Sequence, residues 1–471
     1  MSGTTLFDKI WTAHQVGDIP GGRAALVIDR MTLHELSGGY ALRDMQADGE
    51  RPHMRTDQIF AVADHSISTA PDRGPHDSLS PSGSEMIASL EQSCGAFGYR
   101  YARPDDDAHG IVHVAGPEQG FILPGTTHVC GDSHTCTVGA FGALAFAVGA
   151  SEIATVLRRS ALIVERPKTL RITVTGRLSD QAVAKDVALR ILAEHGIELA
   201  LGYVIEFAGP VVEAMSMEAR MTLCNMAAEM GTRYALIAPD ETTFDHLRRT
   251  VPATPDMLED AVASWRALQT DAGAHFDREI ILDVDGLAPQ VTWGTTPMHT
   301  IGLDGTVPDP AAVDEAARTA TEKALRYMRL QPGEPIASVP IDAAFIGSCT
   351  NARISDLRAA AALLKGRKVA ASVRAMCTPG SMQVRLQAEA EGIDEIFRAA
   401  GFEWRKSGCS NCAGREGPIW QDLRVISSTN RNFENRQGPG TRTHLASPAT
   451  VAASAIMGRI TDPRSLTAEG R

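Results

Sequence analysis

Apolar runs that break off into histidine, aspartate or cysteine set the narrowest limit on how this chain can fold. Ala24-Ala25-Leu26-Val27-Ile28-Asp29-Arg30 precedes His34 and Glu35, and Ile59-Phe60-Ala61-Val62-Ala63 leads into Asp64 and His65. Thr127-His128-Val129-Cys130-Gly131 leads into Asp132, Ser133 and His134, and Ala343-Ala344-Phe345-Ile346 leads into Ser348 and Cys349. Runs of this length without alternation suit strands covered on both faces, which predicts parallel sheets in an α/β fold. In such sheets ligands gather beyond the carboxyl ends of the strands, where these polar residues would stand. The chain has 471 residues and is 44% hydrophobic, enough for sizeable cores. At ~150 residues per domain this suggests about three domains. The turn-rich stretches near Arg166-Pro167 and between Gly294 and Pro310 place them at 1–167, 168–298 and 299–471.

A net charge of -12 argues against nucleic acid as a partner, so an anionic substrate needs a local basic pocket. The start of the sequence shows no basic segment followed by an apolar core, and so no export signal. The longest weakly polar run, 138–150, falls short of the ~20 residues that span a bilayer and is expected to be a buried helix. Thr137 to Leu144 is expected to open that helix with tight glycine packing, and it lacks the dinucleotide fingerprint. Residues 101–109 are expected to form a solvent-facing loop. Eight cysteines without a leader fit a reducing cytoplasm. Cys94, Cys130, Cys136, Cys224 and Cys377 are expected to behave as small hydrophobes, with a ligand or redox role kept open for Cys130 and Cys136.

The remaining three cysteines are Cys349 and the pair in Gly408-Cys409-Ser410-Asn411-Cys412. C-x-x-C alone admits a redox pair, half a zinc site, or part of an iron–sulfur site. Three thiolates suit a four-iron cluster that keeps one iron open as a Lewis acid. Downstream, Leu423-Arg424-Val425-Ile426 reads as a buried strand entering Ser427 to Arg436, where Arg431 and Arg436 suit bidentate binding of carboxylates. Asp64 beside His65, and Asp132 beside His134, are pairs in which a carboxylate can fix an imidazole's tautomer and raise its basicity. Ser216 to Met230 has helical spacing, and it sets Asn225 and Glu229 one turn apart, on either a solvated or a functional face. Helices are also expected over 184–194, 254–270, 311–330, 354–364 and, capped by Ser447 before Pro448, 449–457.

Phe345 to Asn351, Gly408 to Cys412 and Ser428 to Arg436 resemble the signature segments of the aconitase superfamily. So do Gly110 to Val114, Pro117 to Gly120, Cys130 to Thr135 and Cys224 to Gly231. Within it the chain is most similar to the branch that acts on isopropylmalate. The resemblance implies α/β domains around one 4Fe-4S cluster, with Cys349, Cys409 and Cys412 as its three ligands and one iron open. It implies that Asp64 and His65 help a substrate hydroxyl leave as water, with His113, Asp132, His134 and Glu229 serving the cluster and its water. His34, Ser133, Asn225, Arg431 and Arg436 would serve the substrate, although Ser37-Gly38-Gly39-Tyr40 departs from the usual sequence after His34. The base that removes the carbon-bound proton would come from a swivelling domain that this chain lacks, which implies a small-subunit partner. The reaction implied is dehydration and rehydration between 2- and 3-isopropylmalate. Ala413-Gly414-Arg415-Glu416-Gly417 departs from the branch pattern and leaves another alkylmalate open, such as a methylmalate or dimethylmalate. A structural zinc protein and an RNA-binding cluster sensor are further alternatives; the acidic composition speaks against the second.

Overall fold

The computed structural model describes residues 3–417 and 420–468. The chain forms two compact units. One takes the chain up to Ile67, Pro75–Gly176 and Ala200–Asp283; the other takes Ser68–Gly74, Arg177–Leu199 and the chain from Val284 onward.

The first unit holds a five-stranded parallel sheet in the spatial order Arg100–Ala102, Ile59–Val62, Arg30–Leu33, Thr127–Cys130, Leu144–Ala147. The earliest strand lies in the middle, and winding reverses between Arg30–Leu33 and Thr127–Cys130. That reversal opens a crevice at the strands' carboxyl ends. Ile59–Val62 and Thr127–Cys130 are buried throughout, as unalternating apolar runs require. The unit also holds a four-stranded parallel sheet, ordered Tyr234–Leu236, Tyr203–Ala208, Lys168–Thr175, Arg278–Asp283, and a three-stranded antiparallel sheet.

The second unit repeats the winding. Its parallel sheet runs Phe402–Trp404, Arg374–Cys377, Ala343–Ile346, Arg424–Ser427, Arg442–Leu445, again with the earliest strand central. The α/β architecture expected from the apolar runs is therefore present in both units. Helices Ala184–His195, Pro255–Trp265, Glu315–Met328, Ile354–Leu364 and Pro448–Met457 occupy the expected stretches. The Ser447 side chain caps the last of these by accepting from the Thr450 amide.

Three expectations are corrected. The run 24–30 is not one strand leading to His34. Arg23–Val27 pairs antiparallel with Gln15–Ile19 and Ala161–Glu165, and a new strand, Arg30–Leu33, carries His34. The break falls at Asp29, whose carboxylate accepts from the Thr127 amide at 2.9 Å and meets His14 Nε2 at 2.7 Å. The expected helix over 138–150 is a 3-10 segment, Thr135–Phe141, followed by the strand Leu144–Ala147. Gly142, at φ 75, ends the first, and Gly139 packs so tightly on the Ala235 carbonyl that a Cβ there would clash, as the expected glycine packing requires. The solvent-facing loop over 101–109 is exposed at Asp105 to Asp107, but His109 is fully buried, 2.8 Å from the Ala63 carbonyl.

Candidate active-site residues

In the first unit three strand ends deliver one hydrogen-bonded array. His34 follows Arg30–Leu33, Asp64 and His65 follow Ile59–Val62, and Asp132 follows Thr127–Cys130. His65 Nδ1 lies 2.6 Å from Asp64 Oδ1, and its Nε2 lies 3.0 Å from Asp132 Oδ2. The other oxygen of Asp132 lies 3.0 Å from His113 Nε2 and accepts from the His134 amide at 2.7 Å. His134 Nε2 continues the chain to Glu229 Oε1 at 2.8 Å. His34 stacks on His65 with ring centroids 4.6 Å apart, and its Nε2 meets Ser37 Oγ at 3.2 Å. A side chain at Gly131 would collide with both Ser37 and His34, so a bare backbone is required there. Ser133 Oγ lies 3.3 Å from His134 Nδ1, and Asn225 Nδ2 donates to Thr137 Oγ1 at 2.8 Å.

Charge in this array is sharply divided. Burial alone would lower His65, but Asp64 and Asp132 raise it well above its ordinary value. Burial works against the Asp132 carboxylate, yet hydrogen bonds from His113, His134 and His65 hold it well below the usual range. Asp64 is also held down, against burial, by the charge and hydrogen bond of His65. His34, by contrast, is pulled down to about 4 by burial and by the neighbouring His65 charge. At neutral pH His65 is thus an imidazolium between two carboxylates, and His34 is a neutral ring.

Glu35 received no role from the sequence. Its fully buried carboxylate accepts from the Asp64 amide at 3.1 Å and from the Ser66 amide, which fixes the backbone on both sides of His65. Ligand atoms of His34, Glu35, Asp64 and His65 lie within 4.8 Å of one another. The Glu35 and Asp64 oxygens are occupied by backbone amides and by His65.

In the second unit the cysteines lie on loops that follow the parallel strands. Cys349 follows Ala343–Ile346, on a loop tied to the next turn by Ser428, whose Oγ donates to the carbonyls of Gly347 at 3.1 Å and Asn351 at 3.0 Å. Ser348 and Ser410, the residues next to Cys349 and Cys409, have φ of 94 and 50, a strained conformation for a residue with a side chain. Cys409 and Cys412 flank one 3-10 turn, closed by the Cys412 amide donating to the Cys409 carbonyl at 3.0 Å. The Asn430 amide stands between two thiols: Nδ2 donates to Cys349 Sγ at 3.7 Å, and Oδ1 accepts from Cys412 Sγ at 3.8 Å. Arg436 Nη2 lies 4.0 Å from Cys412 Sγ, and its guanidinium covers the Phe433 ring. Arg431 follows Asn430 directly.

The other five cysteines are buried and, among the described residues, in no disulfide, as expected of small hydrophobes. Burial pushes Cys94 and Cys130 up to about 12, and Cys224 and Cys377 well above their ordinary value. Among the described residues no helix is long and apolar enough to cross a membrane. Sequence reasoning missed Glu35, Ser37, Lys185 and Asn430 as site-shaping residues. Only Lys185, a cation on an otherwise apolar helix face, offered a local signal.

Comparison with known proteins shows the family of the chain. The 3-isopropylmalate dehydratase large subunit of Roseiflexus castenholzii is 49% identical over 471 residues, covering 98% of this chain and 98% of that protein. The 3-isopropylmalate dehydratase large subunit 1 of Bradyrhizobium diazoefficiens is 47% identical over 467 residues, covering 98% and 97%. The aconitase family (aconitate hydratase) matches residues 8–458, so nearly the whole chain, strand ends and cysteine loops included, belongs to the aconitase family.

Proposed function

We propose that this chain is the large subunit of a hydro-lyase that interconverts 2- and 3-isopropylmalate by loss and return of water, a step of leucine synthesis. The observation that carries this reading is near end-to-end identity of 49% and 47% to two proteins of that name. Fold alone would not choose a substrate.

The cysteine set suits one 4Fe-4S cluster, held by Cys349, Cys409 and Cys412. Soft thiolates select iron–sulfur groups, and the Asn430 amide already holds two of the three thiols about itself. A cluster bound there with one iron open supplies electrophilic assistance to the departure of a hydroxyl. The chain's own residues do the rest. The His65 imidazolium donates a proton to the leaving hydroxyl, and Asp64 and Asp132 keep it charged and oriented until then. His113, His134 and Glu229 form the relay through which the released water and its protons are held. His34, neutral and stacked on His65, serves the substrate with Ser133, while Asn225 braces Thr137. Arg431 and Arg436 bind substrate carboxylate.

The proton on the neighbouring carbon calls for a base, which we assign to a small subunit carrying the swivelling domain. A division at 1–167, 168–298 and 299–471 and a cytoplasmic setting belong to the same reading.

The test is to purify the chain with a small subunit without oxygen and follow absorbance of the unsaturated acid formed from isopropylmalate beside shorter alkylmalates. Preferred turnover of isopropylmalate supports the reading. Preference for a shorter acid keeps the chemistry and transfers the enzyme to another alkylmalate. No turnover of any, with iron bound, overturns it.

A further inference from the structure

Lys185 is a fully buried ammonium with no carboxylate partner among the described residues. It stands on the helix Ala184–His195, and its Nζ donates to the carbonyls of Ser428, at 2.8 Å, and Thr429. Both acids nearest in charge are turned elsewhere. The Asp186 carboxylate accepts from the amides of Val183 at 2.8 Å and Gln290 at 2.7 Å, and burial pushes it up to about 7, toward the neutral acid. Asp356 is bonded to the Arg353 amide and the Asn351 side chain, at 3.0 Å each. A second buried cation lies on the cysteine loop itself. Arg353 is 2% exposed and gives one nitrogen to the Thr350 carbonyl, while its Nε and Nη2 have no hydrogen-bond partner among the described residues.

Taking an ammonium out of water costs several kcal/mol, and that cost is offset only by an opposite charge close by. Carbonyl dipoles solvate Lys185 but do not neutralise it. The charges that oppose the effect of burial, which draws Lys185 down to about 8, come from Asp356, Cys412, Asp186 and Cys349. Two of those four are thiols of the cysteine set, and an iron–sulfur core held by three thiolates is an anion.

We propose that Lys185 is a positioning and charge-compensating residue for the thiolate centre, with Arg353 adding a second positive charge from the cysteine loop. Through the Ser428 and Thr429 carbonyls, Lys185 also fixes the turn that holds the Asn430 amide between Cys349 and Cys412. This inference rests on the reading of these cysteines as cluster ligands. Its electrostatic half is nevertheless readable in metal-free protein, because a cation beside a thiol raises its thiolate fraction.

The experiment compares wild type, K185Q and K185R in two states, with folding checked by circular dichroism. In metal-free protein the rate of iodoacetamide alkylation at Cys349 and Cys412 is read by mass spectrometry at one fixed pH. K185Q, which keeps an amide donor and loses the charge, is expected to slow alkylation several-fold, and K185R to restore it. In reconstituted protein K185Q is expected to lower the midpoint potential of the cluster, since loss of a nearby positive charge disfavours addition of an electron. An unchanged alkylation rate and potential in K185Q overturns the proposal, as does K185R changing as much as K185Q. If K185Q does not fold, R353Q carries the test, and no slowing at Cys349 overturns the proposal. Failure of the wild type to take up iron defeats the cluster reading alone, and the alkylation arm still decides Lys185.

Discussion

His65 Nε2 and Asp132 Oδ2 are 3.0 Å apart, and the other nitrogen of the same ring is bonded to Asp64. One imidazole held by two carboxylates is a proton store that keeps its charge where an ordinary histidine has lost it. Asp132→Asn removes one carboxylate and leaves its shape. The alkaline limb of the rate profile, set by loss of the His65 proton, should then move down toward the ordinary histidine value, and kcat should fall about 10²- to 10⁴-fold. Iron content should be unchanged. A pH profile of kcat for the two proteins checks this, and an alkaline limb that does not move removes His65 as the acid.

Stability should be lost on mild acidification. His34 and His299 are pulled down to about 4, and His128 and His444 to about 3, each chiefly by burial. A depressed histidine favours its neutral form in the fold, so the unfolded chain takes up its proton first as pH falls through 6.5. The stability is present above that value and is lost below it, at about 1.36 kcal/mol per pH unit for each group. Asp186, Glu35 and Glu206, raised chiefly by burial, run the opposite way. Four groups against three leave a net loss, so melting temperature should fall between pH 6.5 and 4.5. A flat or rising melting temperature would contradict it.

Replacement of Cys349, Cys409 or Cys412 by serine should each remove most of the bound iron, measured against sulfide after anaerobic reconstitution. Cys94→Ser should not, because its buried thiol is pushed up to about 12 and packs among apolar side chains. Full iron retention in any of the first three would break the ligand set.

What the sequence revealed here was mostly local. Ala343–Ile346 and Ile354–Leu364 could be read to the residue because an unalternating apolar run and an amphipathic repeat are written in neighbouring positions. The strand-end placement of Asp64, His65, Asp132 and Cys349 followed from the same logic. The failures were long-range. Nothing between Ala24 and Arg30 says that the chain changes sheets at Asp29, since that turn is held by Thr127 and His14. Small apolar residues over 138–150 suit a helix equally well until Gly139 meets the Ala235 carbonyl. Glu35 and Asn430 shape the site through amides and thiols distant in sequence, which no periodicity records.

Arg436 should matter chiefly to binding. Its guanidinium is stacked on Phe433 and within 4.0 Å of Cys412 Sγ. A hydrogen bond to a charged group contributes about 1.5–3 kcal/mol, so Arg436→Lys should cost about 10- to 150-fold in kcat/KM, mostly through KM. Steady-state kinetics with isopropylmalate read the split, and a loss confined to kcat would argue for a role in the chemical step.

The array delivers a proton from His65 and can hold the released water through His134 and Glu229, but those groups are committed to one another by hydrogen bonds at 2.6–3.0 Å. Abstraction of a carbon-bound proton needs a base whose lone pair is free. His34 is neutral and its Nδ1 has no hydrogen-bond partner among the described residues, but the side chain is buried and its ring is covered by His65, which keeps it from reaching a carbon-bound proton. Iron-loaded chain alone should therefore bind isopropylmalate and show almost no turnover, with activity restored on titrating in a small subunit up to equal amounts. Full turnover by the isolated chain would place the base within it, and His34→Asn would then be the variant to examine.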